Sequence, residues 1–328
     1  MNILVIGGAG YIGSHIVLEL LDTGGHQVTI FDNLSTGSLK NIPDGVRFIE
    51  GDILNDADLA KAFESDTFDV VFHFAALKAA GESMDEPGKY AHHNITGSIN
   101  ILNAMMEYDV KKMIFSSSAA VYGYPEYLPI DENHPTKPVN FYGFTKLEIE
   151  RILKWYSQLK DLRFAALRYF NAAGYDVKSR ITEMEKNCAN LLPIVMETAA
   201  GTREKVMVFG DDYNTVDGTG VRDYIHVNDL ATAHIKAMNY LNNENKDLIV
   251  NLGTGIGYSV LDVINGTKNI TKKAVPYQIV ERRPGDPDEL FAKSHDAEDL
   301  LDWKPIYSDL ETLLKSMWEM YISVESEK

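Results

Sequence analysis

Apolar residues along the first 170 positions fall into two alternating rhythms. Short unbroken runs have the length and β-branched content of buried strands: Asn2-Ile3-Leu4-Val5-Ile6, Val28-Thr29-Ile30-Phe31, Val46-Arg47-Phe48-Ile49, Val70-Val71-Phe72, Met113-Ile114-Phe115 and Phe164-Ala165-Ala166-Leu167. Between them apolar positions recur three and four apart, first at Ile12, Ile16, Leu20 and Leu21, then from Ala57 to Phe63, Tyr90 to Tyr108 and about Tyr142 to Leu159. Strand and helix in alternation predict an α/β fold with a Rossmann-type, doubly wound parallel sheet. Beyond Asn171 the rhythm is less regular, and Ala173 to Asn190 has no clear pattern. Leu191 to Ala200 reads as a helix and Val206 to Phe209 as a strand. Asn228 and Asp229 read as caps of a helix to about Tyr240, and Ile249 to Leu252 as a returning strand. The expected organisation is one body of residues 1–172, joined again by 225–252, and a smaller α+β substrate-binding domain of 173–224 and 253–328.

Size and charge narrow the class. A chain of 328 residues can bury a sizeable core. Its net charge of −17, with no basic patch in the sequence, argues against nucleic acid as a partner, while leaving room for an anionic substrate held by a few arginines. No stretch resembles a membrane span or a basic leader, which points to a cytoplasmic enzyme. The single cysteine, Cys188, cannot form an internal disulfide and lies outside every motif, so it reads as buried or incidental.

The first strand runs directly into Gly7-Gly8-Ala9-Gly10-Tyr11-Ile12-Gly13, and a helix follows. Glycines at 7, 10 and 13 allow a tight turn, backbone approach to a pyrophosphate and close helix packing, with the phosphates on the helix N-terminus. The second strand ends on Asp32, whose carboxylate would accept from an adenosine ribose and repel a 2′-phosphate, favouring NAD over NADP. Tyr142 and Lys146 stand four apart on a predicted helix, so they share a face, and an ammonium there can lower the pKa of a phenol that acts as a base. Ser116-Ser117-Ser118 ends a strand upstream. Candidate residues Gly7, Asp32, Asp52, Phe74, Ala75, Ser118 and Asn171 all follow strands, where parallel sheets bind ligands. Arg222 and the segment Arg282-Arg283-Pro284-Gly285-Asp286 carry guanidinium groups suited to a diphosphate. His73, His92, His93 and His226 form no cluster with metal spacing, and His73 reads as a structural residue.

Taken in order, the segments 7–15, Asp32-Asn33-Leu34, Phe72 to Lys78, Ser116 to Gly123, Arg168-Tyr169-Phe170-Asn171 and Thr219 to Val227 resemble those of the UDP-galactose 4-epimerase family of extended short-chain dehydrogenase/reductases. The resemblance spans Met1 to about Trp303. It implies a tightly held NAD and reversible conversion of UDP-galactose to UDP-glucose. Tyr142 would be the base, Lys146 would hold the nicotinamide ribose, and Ser118 would bond the sugar O4. Tyr11 and Ile12 would meet the pyrophosphate, and Asp52 and Ile53 the adenine. Asn33, Phe74, Ala75, Lys78, Asn94 and Phe170 would complete the cofactor wall. Asn171, Asn190, Leu191, Phe209, Arg222, Tyr224, Arg283, Asp286 and Leu290 would line the UDP-sugar cleft.

Three other readings share this fold. A nucleotide-sugar 4,6-dehydratase needs an extra acid and base beside the serine, where this chain has Ala119 and Ala120, and a non-catalytic dinucleotide sensor has no use for Ser118, Tyr142 and Lys146 together. An oxidoreductase that releases NADH lacks an evident second substrate site. Three departures from the family pattern stand out: a lysine- and glutamate-rich Tyr175 to Cys188, Asn214 in place of a proline, and Leu290 where some members carry tyrosine. The smaller leucine is expected to admit a 2-acetamido group. The helices around 90–108 and 142–159 match those of the family's dimer interface, with Trp155 or Tyr156 exposed on it.

Overall fold

Ile3 and Val5 face one side of the first strand, Leu4 and Ile6 the other, and all four are fully buried. A strand apolar on both faces needs a layer on each side. The computed structural model describes residues 1–185, 190–283 and 286–326. Strands β1 (Asn2–Ile6), β2 (Gln27–Asp32), β3 (Arg47–Glu50), β4 (Val70–His73), β5 (Lys112–Ser118) and β6 (Arg163–Tyr169) form one parallel sheet with the late strand β10 (Leu248–Leu252). Its order is β10-β6-β5-β4-β1-β2-β3, seven strands in all. One face is covered by α1 (Tyr11–Thr23) and α8 (Val227–Glu244), which bring Ile16, Leu20, Leu230 and Met238 onto Ile3 and Val5. On the other face α2 (Asp56–Glu64), α5 (Gly97–Glu107) and α6 (Phe141–Lys160) bring Phe63, Ile101, Met105, Ile149 and Leu153 onto Leu4 and Ile6.

The helix expected over 90–108 forms, with a π segment inside it. After the short helices α3 (Ala80–Asp85) and α4 (Pro87–Tyr90), the chain makes a π turn over Ala91–Thr96 before α5 begins. Asn228 and Asp229 are not caps. Strand β9 (Val221–His226) runs straight into α8, and the His226 side chain accepts the Asn228 N–H at 3.1 Å. Asp229, inside the first turn, instead accepts from Ile306 N, Tyr307 N and Ser308 Oγ. Tyr156 is half-buried rather than exposed, because its hydroxyl bonds Asn103 on α5 at 2.9 Å, whereas Trp155 is 62% exposed.

The smaller layer is built on β9. It pairs with β7 (Asn171–Ala173) and β13 (Glu289–Leu290) in parallel and with β11 (Gly257–Ser259) antiparallel. Strands β8 (Val206–Phe209) and β12 (Tyr277–Val280) pair separately. Helices α7 (Leu191–Ala200), α9 (Val260–Thr271) and α11 (Leu310–Ser326) enclose a second core around Val195, Val208, Val263 and Leu314, and α10 (His295–Leu301) rests on the first. Residues 174–185 lie against the large sheet's layer through charge: Lys178 and Arg180 pair with Asp22 at 2.7 and 2.9 Å, and Lys40 with Glu183 at 2.5 Å. Cys188 lies outside the described residues, as do Pro284 and Gly285.

Four histidines are fully buried, His15, His73, His226 and His234, and burial holds their pKa values at about 4, 3, 3 and 4. The unfolded chain protonates each near 6.5, so it binds more protons than the native state below that pH. Stability is therefore full above pH 6.5 and falls on acidification, by about 2 kcal/mol per histidine at pH 5. Asp223, raised to about 6 by burial, opposes this over pH 6 to 3.8. Thermal melts from pH 8 to 5 should show a falling midpoint below 6.5, and a flat profile would refute the assignment.

Candidate active site

The glycine-rich turn is pressed onto the sheet. Gly7 has φ +82°, and a Cβ there would lie 2.6 Å from Ala75 N; a Cβ on Gly13 would lie 2.2 Å from Gly7 O. Backbone thus packs directly on backbone, which only glycine permits. Gly10 caps α1 without a side chain, so the first-turn N–H groups of Ile12 and Gly13 are open to an anion. Asp32, at the tip of β2, accepts from Ala9 N at 2.9 Å and Leu34 N at 2.8 Å, while burial pushes its pKa up. Asn33 donates to Asp52 at 3.0 Å, and Ile53 is buried against α5 beneath them. Phe74 and Ala75 continue from β4 past Gly7. Among the described groups this edge fits a dinucleotide: open helix-end donors, a glycine backbone that lets a pyrophosphate approach, and a carboxylate at ribose distance from the turn in sequence.

At the next strand tip β5 ends on Ser118. Asn140 caps α6 by accepting the Gly143 N–H at 2.8 Å, which starts the helix one residue before Tyr142 and turns Tyr142 and Lys146 to the same face. Burial raises the Tyr142 pKa, and the neighbouring Ser118 side chain opposes the rise. Lys146 is 2% exposed, with Nζ 2.7 Å from Ser116 O and 5.9 Å from the centre of the Tyr142 ring. Burial lowers its pKa to about 7, with the charge of Glu150 acting against the fall. Lys146 spends one of its three donors on the strand, leaving two for a ligand.

Asn94 is placed differently from a ligand contact. It sits in the π turn, and its amide donates to Leu77 O and to Thr145 Oγ1, both at 3.0 Å, while its oxygen accepts the Leu77 N–H. Both donors are committed, so Asn94 ties the loop after β4 to α6. Lys78 pairs with Glu185 and lies 5.9 Å from the Tyr11 ring centre, and the Tyr11 hydroxyl donates to Gly174 O.

Strand β9 gathers the substrate candidates. Its register sets Tyr224 beside Asn171 and Arg222 beside Leu290. Asn171 donates to Asp223 O at 2.8 Å, and Leu290 packs with Phe170 on the apolar cluster of Ala119, Val121 and Tyr122 that follows Ser118. Arg222 Nη2 is 3.5 Å from Asp286, a carboxylate standing where an anion would bind, and Arg283 lies 3.9 Å over the Phe209 ring. Arg282 turns away to Asp212 at 2.6 Å and stacks on Tyr213. Leu191 is half-buried at the start of α7, and exposed Asn190 precedes it with no capping bond from its side chain.

Sequence reasoning passed over Asp223 and Glu150. Asp223 is fully buried and receives the N–H groups of Thr254, Gly255 and Ala292, tying two segments after β10 and β13 to β9. Its signal was a carboxylate inside an apolar strand. Glu150 is buried four residues after Lys146, a charge in the helix's apolar stripe.

A dinucleotide edge beside a serine, tyrosine and buried lysine defines the short-chain dehydrogenase/reductase class. A model described as the NAD dependent epimerase/dehydratase family matches residues 3–253. The UDP-glucose 4-epimerase of Streptococcus mutans is 43% identical over 324 residues, 98% of this chain and 97% of that protein. The crystal structure of the Brucella ovis UDP-glucose 4-epimerase in complex with NAD has a TM-score of 0.95 at 41% identity, covering 98% of both chains. The UDP-Glc/GlcNAc 4-epimerase from Campylobacter jejuni has a TM-score of 0.86 at 37% identity, over 98% of this chain and 99% of that one. The chain belongs to the NAD dependent epimerase/dehydratase family, among its UDP-glucose 4-epimerases.

Proposed function

We propose that the protein interconverts UDP-galactose and UDP-glucose with a retained NAD, and that Ser118, Tyr142 and Lys146 carry the proton chemistry. The observation that carries this reading is the buried Lys146, its Nζ bonded to Ser116 O and 5.9 Å from the centre of the Tyr142 ring, at the sheet edge that also holds Ser118 and the glycine-rich turn. NAD held at this edge would supply a reversible hydride acceptor for C4 of the sugar. Tyr142 removes the O4 proton and later gives it back; Ser118 bonds O4 and orients it. Lys146 supplies the positive charge that favours the phenolate, and its two unspent donors serve the nicotinamide ribose. Ile12, Gly13, Asp32 and Asp52 hold the adenosine end and the pyrophosphate.

Arg222 and Arg283 clamp the UDP diphosphate, Arg222 exchanging Asp286 for phosphate oxygens, while Asn171, Leu191, Phe209 and Tyr224 flank the nucleotide. Anchoring the nucleotide end leaves the hexose free to turn between half-reactions. Residues 1–172 with 225–252 form the dinucleotide-holding part, and 173–224 with 253–328 the sugar-nucleotide part. Incubation of the purified protein with UDP-galactose and no added NAD should yield UDP-glucose; a 4-keto-6-deoxy sugar, or no product, overturns the reading.

Leu290 sets the acceptance of N-acetylated sugars. Its side chain packs on the cluster after Ser118 and is smaller than a tyrosine ring. Leu290→Tyr should cut kcat/KM for UDP-N-acetylgalactosamine by about tenfold or more while UDP-galactose changes little; equal losses on both sugars refute this. A homodimer through α5 and α6 fits the exposure of Trp155 and Leu159, 62% and 70%. Sedimentation at a monomer mass would refute it. A cytoplasmic location goes with this reading, the one cysteine having no internal partner.

A further inference from the structure

Tyr142, Lys146 and Glu150 stand at successive turns of α6, all on the face that meets the sheet. The strand opposite is Ser116-Ser117-Ser118, and each serine meets one of the three. Ser118 lies beside Tyr142, Ser116 O accepts from Lys146 at 2.7 Å, and Ser117 Oγ donates to Glu150 at 2.5 Å. Arg168 lies beside Ser117 on the neighbouring strand β6 and grips the same carboxylate through Nε at 2.9 Å and Nη2 at 2.5 Å. Glu150 is 1% exposed and Arg168 5%. Beyond them Arg168 reaches Tyr122, and Tyr122 donates to Asn251, so the grip extends across β6 to the sheet edge.

A buried ion pair contributes little net stability, because desolvation offsets the attraction, yet it is unforgiving of displacement. It serves well to fix one element against another. We propose that Glu150 is a positioning residue for the reaction: held by Ser117 and Arg168, it sets the rotation and height of α6 so that Tyr142 and Lys146 meet the Ser116–Ser118 strand. This rests on the roles proposed above for Tyr142 and Lys146.

The carboxylate also acts at a distance. Burial works against the Lys146 ammonium and the charge of Glu150 supports it. The other groups facing this centre are His73 from β4, kept neutral by burial, Arg168 and Tyr169 from β6, and Tyr90 with its partner Glu82 from α4 and α3. Among them Glu150 is the anion that supports the lysine. Its loss lowers the pKa of Lys146, and the charge that favours the phenolate is lost at a lower pH.

The test uses the holoenzyme and three variants, Glu150→Gln, Ser117→Ala and Tyr142→Phe, with melting curves and bound-nucleotide content as folding controls. Glu150→Gln should lower kcat by about tenfold or more with KM for UDP-galactose within about twofold, and should move the alkaline fall in kcat about one pH unit toward acid. Ser117→Ala, which leaves the Arg168 pair in place, should show the same pattern at a few-fold. A folded Glu150→Gln with parental kcat and pH profile overturns the proposal. If Glu150→Gln does not fold, Ser117→Ala with parental kcat and profile overturns it equally. If Tyr142→Phe is inactive while Glu150→Gln is parental, only this inference fails; an active Tyr142→Phe removes the site assignment itself.

Discussion

Tyr142→Phe should leave the fold and the retained nucleotide in place and lower kcat by about a thousandfold. The substitution removes one oxygen. The ring keeps its place at the start of α6, because the position is fixed by the Asn140 cap and by Ser83 Oγ accepting the Tyr142 N–H at 3.0 Å. What disappears is the acceptor for the O4 proton. Ser118 cannot replace it, since an alkoxide is far less accessible near neutrality than a phenolate, and Lys146 points its bonded donor at Ser116 O. KM for UDP-galactose should change by less than about fivefold, because the proposed diphosphate anchors, Arg222 and Arg283, are on β9 and after β12 rather than here. A conversion assay alongside the absorbance of the bound nucleotide checks both parts, and kcat within tenfold of the parent would end the assignment of Tyr142 as the base.

Gly13→Ala should empty the dinucleotide site. The added carbon would sit 2.2 Å from Gly7 O, 2.9 Å from Gly8 Cα and 3.0 Å from Gly7 C, all of them backbone atoms without a rotamer to yield. The turn between β1 and α1 must open, and the helix end then withdraws from the place where phosphates rest. A tenfold loss of affinity corresponds to about 1.4 kcal/mol, and a displaced pyrophosphate loses several hydrogen bonds of that order. The variant should purify with less than about a tenth of the parental nucleotide, measured after acid release, and with a lower melting midpoint because the stabilising ligand is gone. Full nucleotide content would contradict the close packing described for Gly7 and Gly13.

How far these features could be read from sequence depends on how local their causes are. The seven-stranded sheet was legible because each buried strand is an unbroken apolar run and each flanking helix repeats at three and four. Gly7, Asp32, Ser118 and Asn171 followed from the rule that parallel strands present ligand groups at their carboxyl ends. The small layer was harder: β7, β11 and β13 are two or three residues long, and their pairing with β9 is set by contacts 34 to 68 residues apart rather than by composition. The direction of an arginine was beyond reach. Arg282 and Arg283 are neighbours, yet one stacks on Tyr213 and the other on Phe209, a choice made by the fold. Asn228 and Asp229 have good capping chemistry, but β9 enters α8 without a break and His226 takes the cap.

The π turn at Ala91–Thr96 winds one more residue into its loop than an α-helical turn does. Within this stretch Asn94 reaches Leu77 and Thr145, and just after it Ser98 reaches His73. Removing a single codon within this stretch would restore a regular helix and swing Asn94 about a quarter of a turn out of its socket, on the ~100° advance per residue of an α-helix. The chemistry would suffer although every reacting group remained encoded. Length here, more than residue identity, is what the gene must conserve.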